Sequence, residues 1–91
     1  MPMVIQPLGK ESVDSEISSI ALSNDGEFVA WTTYNGLFTI MSINDRIKNE
    51  QKLDSYGKNI GFISSGFFIV GQEEGNLICF STNGEKVWEM K

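Results

Sequence analysis

Cys79, the adjacent carboxylates Glu73 and Glu74, the acidic turn Asn24-Asp25-Gly26 and the glycine-flanked run Gly57-Lys58-Asn59-Ile60-Gly61 are the residues of this 91-residue chain whose types could do chemistry. A thiol is a nucleophile only as its thiolate, which needs a base or a cationic neighbour. Cys79 instead lies in the apolar run Leu77-Ile78-Cys79-Phe80 and reads as a buried, inert side chain, and as the only cysteine it has no disulfide partner within the chain. The sequence holds no histidine, so neither a Ser-His-Asp nor a Cys-His arrangement can form within it. Neighbouring residues of a strand point to opposite faces, so Glu73 and Glu74 do not converge on one reacting atom and read as a solvated turn. Asn24-Asp25-Gly26 lacks the later acidic ligands and closing glutamate of a calcium loop. The Gly57 to Gly61 run lacks the spacing and the Lys-Ser/Thr ending of a phosphate-binding loop; Gly57 is expected in the turn between repeats, and Gly61 at a close strand contact or a bulge. No catalytic, cofactor-binding or metal-ligating residue is assigned, and the chain is expected not to be an enzyme.

The elements that would carry these residues follow from composition and turn chemistry. With 41% hydrophobic and 21% charged residues the sequence is that of one folded domain. The formal charge is −5, and the seven basic residues are scattered except between Arg46 and Lys52, where Glu50 interrupts them. Phosphate binding needs a concentrated cationic face, so nucleic acid is not an expected partner. The N-terminal Met-Pro-Met-Val-Ile-Gln-Pro-Leu has no basic leader, and no apolar run reaches the ~18 residues of a membrane span. The expectation is a cytoplasmic protein without a membrane partner. Residues 1–15 form an N-terminal segment in which Val4-Ile5 could add a strand or fray.

From there the chain repeats itself. Asn24-Asp25-Gly26-Glu27-Phe28-Val29-Ala30-Trp31 aligns with Ser64-Ser65-Gly66-Phe67-Phe68-Ile69-Val70-Gly71 at an offset of 40, and Tyr34-Asn35-Gly36 with Glu73-Glu74-Gly75 at 39, which places one deleted residue between the two stretches. Each copy reads as four short strands, near 17–23, 27–33, 37–43 and 47–53 in residues 16–56, and near 59–64, 67–72, 76–81 and 85–90 in residues 57–91. Gly and Asn at every break supply the positive φ that two-residue hairpin turns need. The second and third strands are apolar on both faces, whereas Ile47-Lys48-Asn49-Glu50-Gln51-Lys52-Leu53 is largely polar. A sheet covered on both faces and edged by a polar strand fits radial stacking better than a two-layer sandwich.

This pattern resembles the four-stranded β-propeller repeats of the WD40-like and pyrroloquinoline-quinone-like types. The second copy carries the likeness in Glu74-Gly75-Asn76-Leu77-Ile78-Cys79-Phe80-Ser81-Thr82-Asn83-Gly84-Glu85-Lys86-Val87-Trp88, and the first through Ile17-Ser18-Ser19-Ile20-Ala21-Leu22-Ser23-Asn24-Asp25-Gly26. Neither copy has the Gly-His or Trp-Asp pairs of the WD40 repeat. The quinone enzymes draw their cofactor ligands from several blades of a full ring, and none is carried over to this chain. The fold class the resemblance implies is all-β, two antiparallel propeller-blade-like sheets forming part of a propeller.

Closed propellers use about four to eight blades, so two copies leave two apolar faces outward. Bare apolar faces forgo about 25 cal/mol for each Å² that could be buried, and large exposed patches mark interfaces. Three or four copies could close a ring as a homo-oligomeric trimer or tetramer, a partner protein could supply further blades, or the chain could be a self-contained β-sandwich. In the propeller arrangement one rim displays Tyr34, Asn35, Tyr56, Lys58, Glu73 and Glu74, a candidate protein-binding surface because tyrosines in a polar surround suit recognition; they could equally just cover loop ends. Trp31, Phe28, Phe38, Phe62, Phe68, Phe80 and Trp88 read as core or inter-blade contacts. The functional expectation is a non-enzymatic scaffold or interaction module, with a small-ligand or enzymatic site formed only in a closed ring as the alternative.

Overall fold

The computed structural model describes residues 16–63 and 66–91. The N-terminal segment, with its candidate extra strand, lies outside the described residues, as do Ser64 and Ser65. Eight strands follow one another: β1 (Ile17–Leu22), β2 (Phe28–Thr33), β3 (Leu37–Ser42), β4 (Lys48–Lys52), β5 (Gly57–Ile63), β6 (Phe67–Gln72), β7 (Leu77–Ser81) and β8 (Lys86–Met90). They form two antiparallel meanders, β1-β2-β3-β4 and β5-β6-β7-β8. Within each sheet every strand pairs with its sequence neighbour, the arrangement that short hairpin connections impose.

The turns are longer than the two-residue hairpins expected. Residues 34–36, 73–75 and 82–84 form three-residue loops in which the glycine amide donates back to the carbonyl three residues earlier, as in Gly36 to Thr33 at 3.0 Å and Gly75 to Gln72 at 2.9 Å. Gly36, Gly75 and Gly84 have φ of 90°, 98° and 91°, the left-handed value that a type I turn followed by a bulge requires. The β3-β4 loop is one residue longer, and there Arg46 takes the left-handed position at φ 65°.

Strand pairing moves the deleted residue. The first hairpin closes on Ser23 and Phe28, whose amide and carbonyl join at 2.9 Å, and the second on Ile63 and Phe67. The second loop is therefore the one that is a residue shorter, and the offset falls from 40 to 39 here rather than ahead of Glu73. Ala30 pairs with Ile40 as Ile69 pairs with Cys79. Thus Ile69, not Val70, is the counterpart of Ala30. Both sheets carry the same irregularity in their first strand, between Ile17 and Ser19 and between Gly57 and Asn59. Gly57 belongs to β5 rather than to a turn, and the bulge falls at Lys58, not at Gly61.

The two sheets stack face to face. Ala30, Phe38, Ile40 and Leu53 from the first meet Phe68, Val70, Ile78 and Phe80 from the second, with Phe38 and Phe80 stacked at 4.5 Å between ring centroids. Ile60 and Phe62 of β5 pack against this core, Phe62 edge-on to Phe68 at 4.9 Å, and β5 lies against β1 and β2. At the inner end of the seam the Thr32 hydroxyl bonds Ser18 Oγ at 2.8 Å and donates to the Gly57 carbonyl at 3.3 Å. A Cβ on Gly57 would lie 2.7 Å from the Thr32 methyl, which is why only glycine fits. At the outer end Gln51 Nε2 donates to the Gly84 carbonyl at 2.8 Å. The outer strand β4 is polar and mostly exposed, as its sequence suggests.

Candidate functional site

The rim begins with backbone ties. Residues 53–56 cross from β4 to β5, and along the way the Leu53 amide donates to the Gly36 carbonyl at 2.7 Å while the Tyr56 carbonyl accepts from the Glu73 amide at 3.0 Å. The crossing segment is thereby fastened to the β2-β3 turn at one end and the β6-β7 turn at the other. Gln72 completes the fastening: it is buried, and its Nε2 donates to the carbonyl and hydroxyl oxygens of Ser55 at 3.0 and 3.1 Å, while its Oε1 has no partner. Composition gave no sign of this clamp, because a glutamine before a turn reads as a surface residue.

These ties bring Tyr34 and Tyr56 together. Their rings sit 5.1 Å apart and tilted by 52°, within the 4.5 to 7 Å range of favourable aromatic pairs. Tyr34 is 54% exposed and Tyr56 half-buried, so the pair forms a step with one open ring. Glu73 and Glu74 on the β6-β7 turn and Asp54 on the crossing segment are exposed. Asn35 is committed to its own turn, where its Oδ1 accepts from the Thr33 hydroxyl. Lys58 is exposed at the β5 bulge, one residue from Gly57. Of the six rim residues, then, Tyr34, Tyr56 and Glu73 are joined by contacts shown here, Glu74 extends the same turn, Asn35 shapes the turn, and Lys58 stands on the adjoining strand.

Such a step can bind by stacking and by attraction of a cation to the open ring face, reinforced by the neighbouring carboxylates. It holds no proton-transfer pair built on histidine. Among the described residues no group of three or more Cys, Asp or Glu is placed to hold a metal ion. Cys79 is buried and pairs with Trp88 across the β7-β8 ladder, and burial pushes the pKa of its thiol above the usual value.

A second exposed region lies on the face of the second sheet turned away from the first. Ile63, Leu77, Trp88 and Met90 occupy it and are 39%, 39%, 39% and 56% exposed. Trp88, expected among core or inter-blade contacts, thus has no sheet over it among the described residues. No described helix is long and apolar enough to cross a membrane.

No protein-family model matches the chain, and no curated protein matches it significantly. Solved structures do. BamB from Moraxella catarrhalis superposes with a TM-score of 0.77 over 87% of this chain and 25% of that one, at 18% identity. The WD40 repeats of RRP9 superpose with a TM-score of 0.78 over 89% of this chain and 27% of that one, at 8% identity. The chain spans about a quarter of the length of each. At such identities the likeness is one of fold, and it makes the two meanders consecutive blades of a partial β-propeller, of the kind seen in WD40-like and pyrroloquinoline-quinone-like repeats.

Proposed function

We propose that the chain is a non-enzymatic interaction module of the β-propeller type, working in the cytoplasm, which recognises a protein partner at the rim formed by Tyr34, Tyr56, Glu73 and Glu74. The observation that carries this reading is the open Tyr34–Tyr56 step, fixed at 5.1 Å by backbone bonds from the crossing segment to the neighbouring turns. Rigid tyrosines lose little freedom on binding, and hot spots are enriched in them. The carboxylates beside the step, with the net charge of −5, favour a partner segment carrying arginine or lysine. Further blades complete the ring, which three or four copies of the chain close together or another protein completes.

A displayed library of random peptides tests the rim. Selected peptides should be basic, and Tyr34→Ala should weaken them about tenfold, the effect of losing one aromatic hot spot. Peptides indifferent to Tyr34→Ala and to Tyr56→Ala would overturn the rim assignment. A thermal shift in a panel of sugars, nucleotides and metal ions, with no peptide selected, would favour a small-ligand site instead.

A further inference from the structure

Tyr34 and Tyr56 are the only tyrosines of the chain, and the fold brings their rings to 5.1 Å although residues 35–55 separate them in sequence. Phenol rings in contact have a chemistry beyond recognition. Removal of one electron and the hydroxyl proton leaves a phenoxyl radical, whose unpaired electron is shared with the two ring carbons ortho to the oxygen, Cε1 and Cε2. Two such radicals join through those carbons.

The rim supplies what that coupling needs. Tyr34 is 54% exposed and Tyr56 half-buried, so the pair is open to an oxidant in solution. The loops that carry the rings are fixed side by side: the Leu53 amide donates to the Gly36 carbonyl at 2.7 Å, the Glu73 amide to the Tyr56 carbonyl at 3.0 Å, and buried Gln72 clamps Ser55. The rings themselves keep their freedom to turn, since rotation about a tyrosine Cβ–Cγ bond is broad and two-fold, and each can present either ortho carbon. Groups joined by a short tether meet at an effective concentration of about 1 mM or more. At micromolar protein an internal bond therefore forms ahead of a bond between chains. Of the other oxidisable side chains, Trp31 and Cys79 are buried, whereas Trp88 and Met90 are open at the second sheet.

We propose that Tyr34 and Tyr56 form a site of oxidative cross-linking, at which a one-electron oxidant of the peroxidase and hydrogen peroxide class joins the two rings by a carbon–carbon bond. Each phenol gives up one electron and one proton. The radicals combine between a Cε atom of each ring, and the hydrogen on each joined carbon then moves to the oxygen, which restores both phenols. The peroxide takes up both electrons and both protons and leaves as two waters, so the chain loses two hydrogen atoms and nothing else. The bond clips the β2-β3 turn of the first blade to the segment that crosses to the second, and a covalent loop of this kind stabilises a fold chiefly by restricting the unfolded chain. The coupling needs only the two rings, so it stands or falls separately from recognition of a partner at the same rim.

Peroxidase and hydrogen peroxide acting on the full chain at low micromolar concentration, followed by intact-mass spectrometry, test the site. The expected product is a monomer lighter by two hydrogens, with blue dityrosine fluorescence, a peptide linked between Tyr34 and Tyr56 after proteolysis, and a raised melting temperature. Tyr34→Phe and Tyr56→Phe each keep both rings and should each abolish the internal product. Urea separates the rings, so there the yield of internal product should fall several-fold. Covalent dimers as the main product of the folded chain, oxygen added at Trp88 or Met90 without loss of hydrogen at the tyrosines, or the same internal yield in urea would each overturn the proposal.

Discussion

The first blade and the second share strand order, turn chemistry and the bulge in the leading strand, yet equivalent positions meet opposite surroundings. Phe38 is fully buried against Phe80, whereas its counterpart Leu77 is 39% exposed. At this pair, burial follows from the blade that lies opposite Phe38.

Substitution at this matched pair should give the largest contrast. Phe38→Ala removes a stacked, fully buried ring and should destabilise the chain by about 3 to 5 kcal/mol, read as a lowered urea midpoint. Leu77→Ala at the equivalent position should change the midpoint of the monomer by no more than about 0.5 kcal/mol. An equal loss at both would mean that the open face is not open in solution.

The leading-strand glycines come next. Gly57→Ala drives a Cβ into the Thr32 side chain at 2.7 Å and should cost about 1 to 3 kcal/mol through overpacking of the seam. Gly61→Ala meets nothing within 4 Å and should be neutral, or stabilise the chain by about 0.5 kcal/mol by restricting the unfolded chain. At the outer end of the seam, Gln51→Ala loses the 2.8 Å bond to the Gly84 carbonyl and should cost about 1 kcal/mol. Hydrogen exchange in β8 should rise in that variant if the outer contact helps hold the blades together.

Acid should separate the blades least. In the first blade the Ser23 hydroxyl, with the Glu27 amide, holds Asp25 below its ordinary 3.8; in the second, Lys86, with Asn76, holds Glu89 below its ordinary 4.5. Carboxylates lowered on folding contribute stability at pH values above their unfolded pKa, and that contribution disappears as pH falls through the lowered value. The melting temperature should therefore decline as pH is taken down through the carboxylate range, and Glu89→Gln should flatten the part that begins near 4.5. Both side chains are at the surface, so the slope should be shallow and weaken further in salt.

Much of this fold was legible in the residues. Gly36, Gly75 and Gly84 mark turns because only glycine enters the left-handed region without penalty, and the polar run through β4 marks an edge. Loop position alone places Tyr34 and Tyr56 at one end of the sheets, but their 5.1 Å ring contact depends on the crossing segment. The clamp of Gln72 on Ser55 was not legible, because a polar residue before a turn carries no sign of burial.

By itself the sequence determined two four-stranded meanders, their order and the absence of histidine chemistry, since these follow from local turn geometry, strand alternation and composition. The tertiary structure alone decided the register that relates the copies. A Phe28 to Phe68 correspondence and a Phe28 to Phe67 correspondence differ by one residue, and with a side-chain period of two that single step exchanges the occupied face for the open one. Only hydrogen bonds across the ladder, closing one hairpin on Ser23 and Phe28 and the other on Ile63 and Phe67, distinguish them.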